Sequence, residues 1–91
     1  MAMNDRSVLI TGTTSGVGRA LLEHYANEGA RVISVNRRRV AELEAKYPSV
    51  RFECVDVRSA EDVDRLVRSL AESDQLPELL ILNAGINRVD N

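Results

Sequence analysis

An α/β fold built on a parallel sheet follows from three features of this 91-residue chain. Apolar runs that fit strands alternate with stretches of helical periodicity. A glycine-rich segment joins the first run to the first helix. The last run, Leu79-Leu80-Ile81-Leu82, is almost continuously aliphatic, as in strands buried on both faces of a parallel sheet. Strands separated by helices need crossover connections, which are right-handed and leave the strands parallel between two helical layers.

The first strand is expected over residues 7–11, where Ser7-Val8-Leu9-Ile10 leads into Thr11, and the first helix over about 15–27. Val17, Ala20, Leu21 and Tyr25 fall on one face of that helix, and Gly29 is a fitting stop. The second strand spans 31–35. A short helix over 38–46 follows, with Val40, Leu43 and Tyr47 in one stripe and Pro48 closing it. The third strand covers 50–55. Ser59 is a good N-cap for the third helix, with Glu61 and Asp62 in its first turn and Val63, Leu66, Val67 and Leu70 on one face. The fourth strand covers 78–83. The doubly wound order is 3-2-1-4, with a ligand crevice at the carboxyl ends of the strands. Gly12, Asn36, Asp56 and Asn83 all reach those ends.

Composition excludes several classes. Apolar residues make up 44% and charged residues 29%, an ordinary balance for a single globular domain, and the net charge of −2 gives no footprint for nucleic acid. No apolar run approaches the roughly 20 residues of a membrane span, and the segment Met1-Ala2-Met3-Asn4-Asp5-Arg6 has no apolar stretch of signal type. A cytoplasmic protein is expected. The one cysteine, Cys54, has no internal disulfide partner and no metal-ligand spacing, so it is expected as a small buried apolar residue in the third strand. No metal site is expected. His24 is expected at the surface, and Tyr25 and Tyr47 on core stripes.

Chemistry enters with Thr11-Gly12-Thr13-Thr14-Ser15-Gly16-Val17-Gly18. Main-chain N–H groups can hold a phosphate only where no Cβ stands in the way, and the helix N-terminus behind them favours negative charge. Gly12 suits the sharp turn off the strand, Gly16 the approach to a pyrophosphate, and Gly18 close packing of helix on sheet. Thr13, Thr14 and Ser15 add hydroxyls and N–H donors. A dinucleotide site is therefore expected.

The loop resembles that of the short-chain dehydrogenase/reductase family, which has the form Thr-Gly-x-x-x-Gly-x-Gly. Two further segments carry the same resemblance: Asn83-Ala84-Gly85 after the fourth strand and Asp56-Val57 after the third. The family's usual second Asn is replaced here by Leu82. The resemblance implies a partial doubly wound, Rossmann-type three-layer sandwich. It also implies that Asp56 accepts from the adenine amino group, Val57 offers its N–H, Asn83 braces the sheet near Thr11, and Ala84 and Gly85 leave room for the ribose.

An NAD site of this fold has Asp or Glu at the end of the second strand, on the ribose hydroxyls. Here Asn36 stands there, followed by Arg37, Arg38 and Arg39. Guanidinium groups grip a 2′-phosphate that a carboxylate repels. NADP(H) is therefore expected ahead of NAD(H), with Arg37 first and Arg38 second among its readers.

The resemblance also implies a catalytic Ser and a Tyr-x-x-x-Lys pair in the half following the fourth strand. Four residues after Tyr25 comes Gly29, and four after Tyr47 comes Arg51. Residues 1–91 are thus expected to be the cofactor-binding part of a longer oxidoreductase acting on a small carbonyl or alcohol. The alternative is a stand-alone or split binding module without catalysis. Under either reading the fourth strand is an apolar edge open to self-association or to a partner.

Overall fold

The computed structural model describes residues 6–14 and 16–83. Four strands, β1 (Ser7–Thr11), β2 (Arg31–Asn36), β3 (Arg51–Cys54) and β4 (Leu79–Ile81), form one parallel sheet in the order β3-β2-β1-β4. They alternate with α1 (Gly16–Asn27), α2 (Ala41–Lys46) and α3 (Ala60–Glu72).

Strand side chains alternate between two faces, and the register turns that alternation into two cores. Val8 pairs with Val32 and Ile10 with Ser34. On that face Val8, Ile10 and Val32 pack with Leu22 of α1 and Leu43 of α2. Leu9 pairs with Ile33 and Thr11 with Val35. There Leu9, Ile33, Val35 and Val55 pack with Leu66 and Leu70 of α3. The central strands β1 and β2 are buried on both sides, as their largely aliphatic sequences, interrupted in β2 by Ser34, lead one to expect.

Two helices end in the same backbone device. After α1, Ala30 N–H donates to the Tyr25 carbonyl and Gly29 N–H to that of Ala26, with Gly29 at φ 86°. After α3, Gln75 N–H donates to Leu70 and Asp74 N–H to Ala71, with Asp74 at φ 57°. Both are Schellman endings, which satisfy the last carbonyls through one left-handed residue. At the start of α3 the Ser59 hydroxyl accepts from Asp62 N–H, the predicted cap.

Four details differ from the sequence-based expectations. The deepest residues of α1 are Gly18 and Leu22, flanked by Leu21, Tyr25 and Ala26, whereas Val17 and Ala20 face outward. A glycine carries no hydrophobic signal, so the true contact line was invisible to a count of apolar residues. The second helix starts at Ala41 because Val40 is extended at φ −124° and no side chain caps the turn before it. The three arginines therefore lie in the preceding connection. β4 is shorter than expected and largely exposed, with Leu80 at 54%. It occupies a sheet edge beside β1, and α3 packs over Leu9 of β1, Ile33 and Val35 of β2 and Val55 just beyond β3 instead. Cys54 is exposed, not buried: it is the last residue of edge strand β3, and its thiol donates to the Arg37 carbonyl at 3.1 Å.

Among the described residues, no helix is long and apolar enough to cross a membrane.

Candidate functional site

Gly12, at φ 70°, turns the chain off β1 while its N–H still donates to the Val35 carbonyl at 3.0 Å. Thr13 then points inward and is fully buried, and Thr14 returns to the surface. Gly16 adopts φ +61°, with open space where a Cβ would stand. At Gly18 a Cβ would lie 1.8 Å from the Gly12 carbonyl oxygen and 2.7 Å from Asn83 Nδ2, so α1 sits directly against the turn. The two glycines thus serve different ends: an open cradle at Gly16 and close helix packing at Gly18.

At the carboxyl ends of the strands the chain encloses a cleft of about 180 Å³. Gly12 and Thr14 line it from the glycine loop, Val35, Asn36, Arg37 and Arg38 from the end of β2, and Val55 and Val57 from the end of β3. Among the described residues, no carboxylate lines it. Arg39 turns away into a two-bond ion pair with Glu44, at 3.1 and 2.5 Å, and that pair raises its pKa. Arg37 and Arg38 form no ion pair with a described residue.

Thr13 and Asn36 are spent on one another. Thr13 N–H donates to Asn36 Oδ1 at 2.7 Å, and Asn36 Nδ2 donates to Thr13 Oγ1 at 2.9 Å and to Ser34 Oγ at 3.2 Å. Thr13 Oγ1 and Ser34 Oγ share a buried hydrogen bond of 2.6 Å. Asn83 ties the other side of the loop, donating from Nδ2 to the Gly12 carbonyl at 3.2 Å and from its N–H to Thr11 Oγ1 at 2.8 Å. Asp56 Oδ1 accepts from the N–H and Nε of Arg58, and Oδ2 accepts from Nη2, at 2.9 to 3.2 Å. Those bonds hold the Asp56 carboxyl below the usual carboxylate range. Three of its roughly four lone-pair sites are then in use.

Of the residues singled out in the sequence, the cleft brings together Gly12, Thr14, Asn36, Arg37, Arg38 and Val57. Asn83 and Gly18 lie behind the loop, Val17 is exposed, and Ser15, Ala84 and Gly85 fall outside the described residues. Sequence reasoning missed Ser34 and Arg58. A serine inside an aliphatic strand changes no pattern. The Asp-x-Arg spacing was a usable signal for the Asp56–Arg58 pair.

A parallel sheet in 3-2-1-4 order, with a glycine turn against the first helix and a cleft at the carboxyl edge, defines a doubly wound, Rossmann-type α/β fold. Residues 6–91 match the short chain dehydrogenase family, and the chain belongs to it. It is 40% identical over 90 residues to cis-2,3-dihydrobiphenyl-2,3-diol dehydrogenase of Paraburkholderia xenovorans, covering 94% of this chain and 32% of that protein. Among solved structures, a short chain dehydrogenase from Leptospira borgpetersenii with bound NAD+ superposes with a TM-score of 0.84 at 28% identity, over 96% of this chain and 34% of that one. L-sorbose reductase from Gluconobacter frateurii, complexed with NADPH and L-sorbose, superposes at 0.77 with 32% identity, over 100% and 37% respectively. The chain thus spans about a third of the length of these relatives.

Proposed function

We propose that this chain is the NADP(H)-binding part of an oxidoreductase that moves a hydride between nicotinamide and a small carbonyl or alcohol substrate. The observation that carries the cofactor choice is the cleft at the end of β2, which Arg37 and Arg38 line and, among the described residues, no carboxylate does. A 2′-phosphate set there gains charge-assisted hydrogen bonds from guanidinium groups that are held in no ion pair with a described residue, although the Asp56 carboxylate lies close enough to feel the charge of Arg37. The glycine loop fits the shared part of a dinucleotide: Gly16 leaves its side of the turn open, and backbone N–H groups at a helix N-terminus favour a pyrophosphate. Val55 and Val57 offer an apolar surface for the adenine. NADP(H), when bound, supplies the hydride or its acceptor. Neither Tyr25 nor Tyr47 has a lysine four residues on, so the proton-transferring pair of the reaction is assigned elsewhere in the whole protein.

The test is the affinity of the chain for NADPH and NADH, measured side by side by calorimetry, before and after Arg37→Asp. One lost bidentate charge-assisted contact plus a new repulsion should lower the NADPH/NADH affinity ratio about tenfold or more. An unchanged ratio overturns the NADP(H) assignment.

A further inference from the structure

Asn36 holds the position from which an acidic residue reads the ribose in NAD-binding sites of this fold, yet its carboxamide points at the glycine loop. Its oxygen accepts from Thr13 N–H at 2.7 Å, and its nitrogen donates to Thr13 Oγ1 and Ser34 Oγ. The amide orientation is fixed by its partners, because the reversed amide would set NH2 against the Thr13 N–H. Thr13 and Ser34 are both fully buried, and their hydroxyls bond each other. Among the described residues no buried side-chain polar atom lacks a partner. A network this closed fixes one geometry, since in a low-dielectric interior each broken bond leaves an unpaired polar group.

We infer that Asn36 is a positioning residue, which with Ser34 clamps Thr13 and so sets the glycine loop for the pyrophosphate, leaving 2′-phosphate discrimination to its arginine neighbours. This rests on the proposed dinucleotide reading of the cleft. Thr13 lies between Gly12, where the chain turns, and Thr14, which lines the cleft. Holding the Thr13 amide therefore sets the direction in which the rest of the loop leaves β1. NADPH and NADH share the pyrophosphate and differ at the 2′ position. A clamp on the loop acts on both equally, whereas a ribose reader changes their ratio.

The experiment is solution NMR on the isotopically labelled 91-residue chain, combined with NADPH and NADH titrations. In the unsubstituted chain a scalar coupling across the hydrogen bond, from Thr13 amide nitrogen to Asn36 Cγ, is expected; its absence overturns the clamp without need of any variant. In Asn36→Ala, Thr13 amide exchange should rise at least about tenfold, with the α3 amides unchanged, and both affinities should fall by the same factor of about ten. Asn36→Asp keeps an acceptor for the Thr13 N–H and offers oxygens to both hydroxyls, so it should hold Thr13 exchange within about threefold of the parent chain. Thr13 exchange unaltered in Asn36→Ala, or an affinity ratio shifted more than about fivefold, overturns the proposal. Failure of the unsubstituted chain to bind either nucleotide overturns the dinucleotide reading instead, and the coupling and exchange at Thr13 then judge the clamp alone.

Discussion

Gly16 and Gly18 stand two residues apart in one turn, and the same substitution should cost different amounts at each for different reasons. At Gly16 nothing crowds a new Cβ, but φ +61° is a conformation that L side chains rarely adopt, so Gly16→Ala should destabilise by about 1–2 kcal/mol. At Gly18 the new carbon would lie 1.8 Å from a backbone oxygen that cannot swing aside. Gly18→Ala must push α1 off β1, at a cost of at least about 3 kcal/mol. Urea unfolding of the two variants checks both values, and equal losses would contradict the distinction. Asp56 offers a test by pH. Hydrogen bonds from Arg58, side chain first and backbone second, lower its pKa in the folded chain. A lowered folded value means that the unfolded chain binds the proton more readily. The stabilisation is therefore present above the ordinary carboxylate range and is lost as pH falls through the lowered native value. The effect on stability is small, because Arg58 is 72% exposed and water screens the pair. Arg58→Ala should move the Asp56 carboxyl titration upward toward its ordinary value, as read by carboxyl-carbon NMR, and an unmoved midpoint would contradict the pairing.

At the scale of elements, the endings of α1 and α3 form a natural pair. Each passes through one left-handed residue, a glycine after α1 and Asp74 after α3. Asp74 meets a steric cost there that glycine does not, whereas glycine has more unfolded-chain entropy to lose; Asp74→Gly should therefore stabilise by a few tenths to about 1 kcal/mol in urea unfolding. The α3 ending is tied to the sheet by Arg51, whose guanidinium donates to Glu53 of its own strand, to Ser69 and Ser73 of the helix end and to Gln75 beyond it. Such ties explain what the sequence disclosed and what it hid. Strands β1 and β2 were legible because every position from Val8 to Ile10 and from Val32 to Val35 except Ser34 is aliphatic, and the order of strands followed from the doubly wound topology. The start of α2 was not legible, because arginines are good helix formers and only the missing cap stops them. The convergence of the loop, the end of β2 and the end of β3 on one cleft was legible from their places at the strand ends. The inward turn of Thr13 onto Asn36 was not, since it depends on Ser34 lying across the β1–β2 pair from Ile10.

The whole molecule is finished on one side and open on the other. The face covered by α1 and α2 buries Val8, Ile10, Leu22, Val32 and Leu43 almost completely. Beyond α3, the opposite face has an apolar groove of about 340 Å³ running from Val63, Leu66 and Val67 across Leu9 to Leu80 and Leu82 of the β4 segment. Leu82 is 71% exposed and Val67 48%. Apolar area of this kind, beside a strand whose outer edge has no described neighbour, drives association at roughly 25 cal/mol for each Å² removed from water. The chain should accordingly show a sedimentation coefficient that rises with concentration. Val67→Lys with Leu82→Lys places two charges on the groove at positions already in contact with solvent, and neither residue belongs to the two cores. The double variant should sediment as a monomer at concentrations where the parent chain associates, while its unfolding free energy stays within about 1 kcal/mol of the parent's. Association that persists in the double variant would show that the groove is not its cause, and a large loss of stability would show that Val67 and Leu82 support the fold despite their exposure.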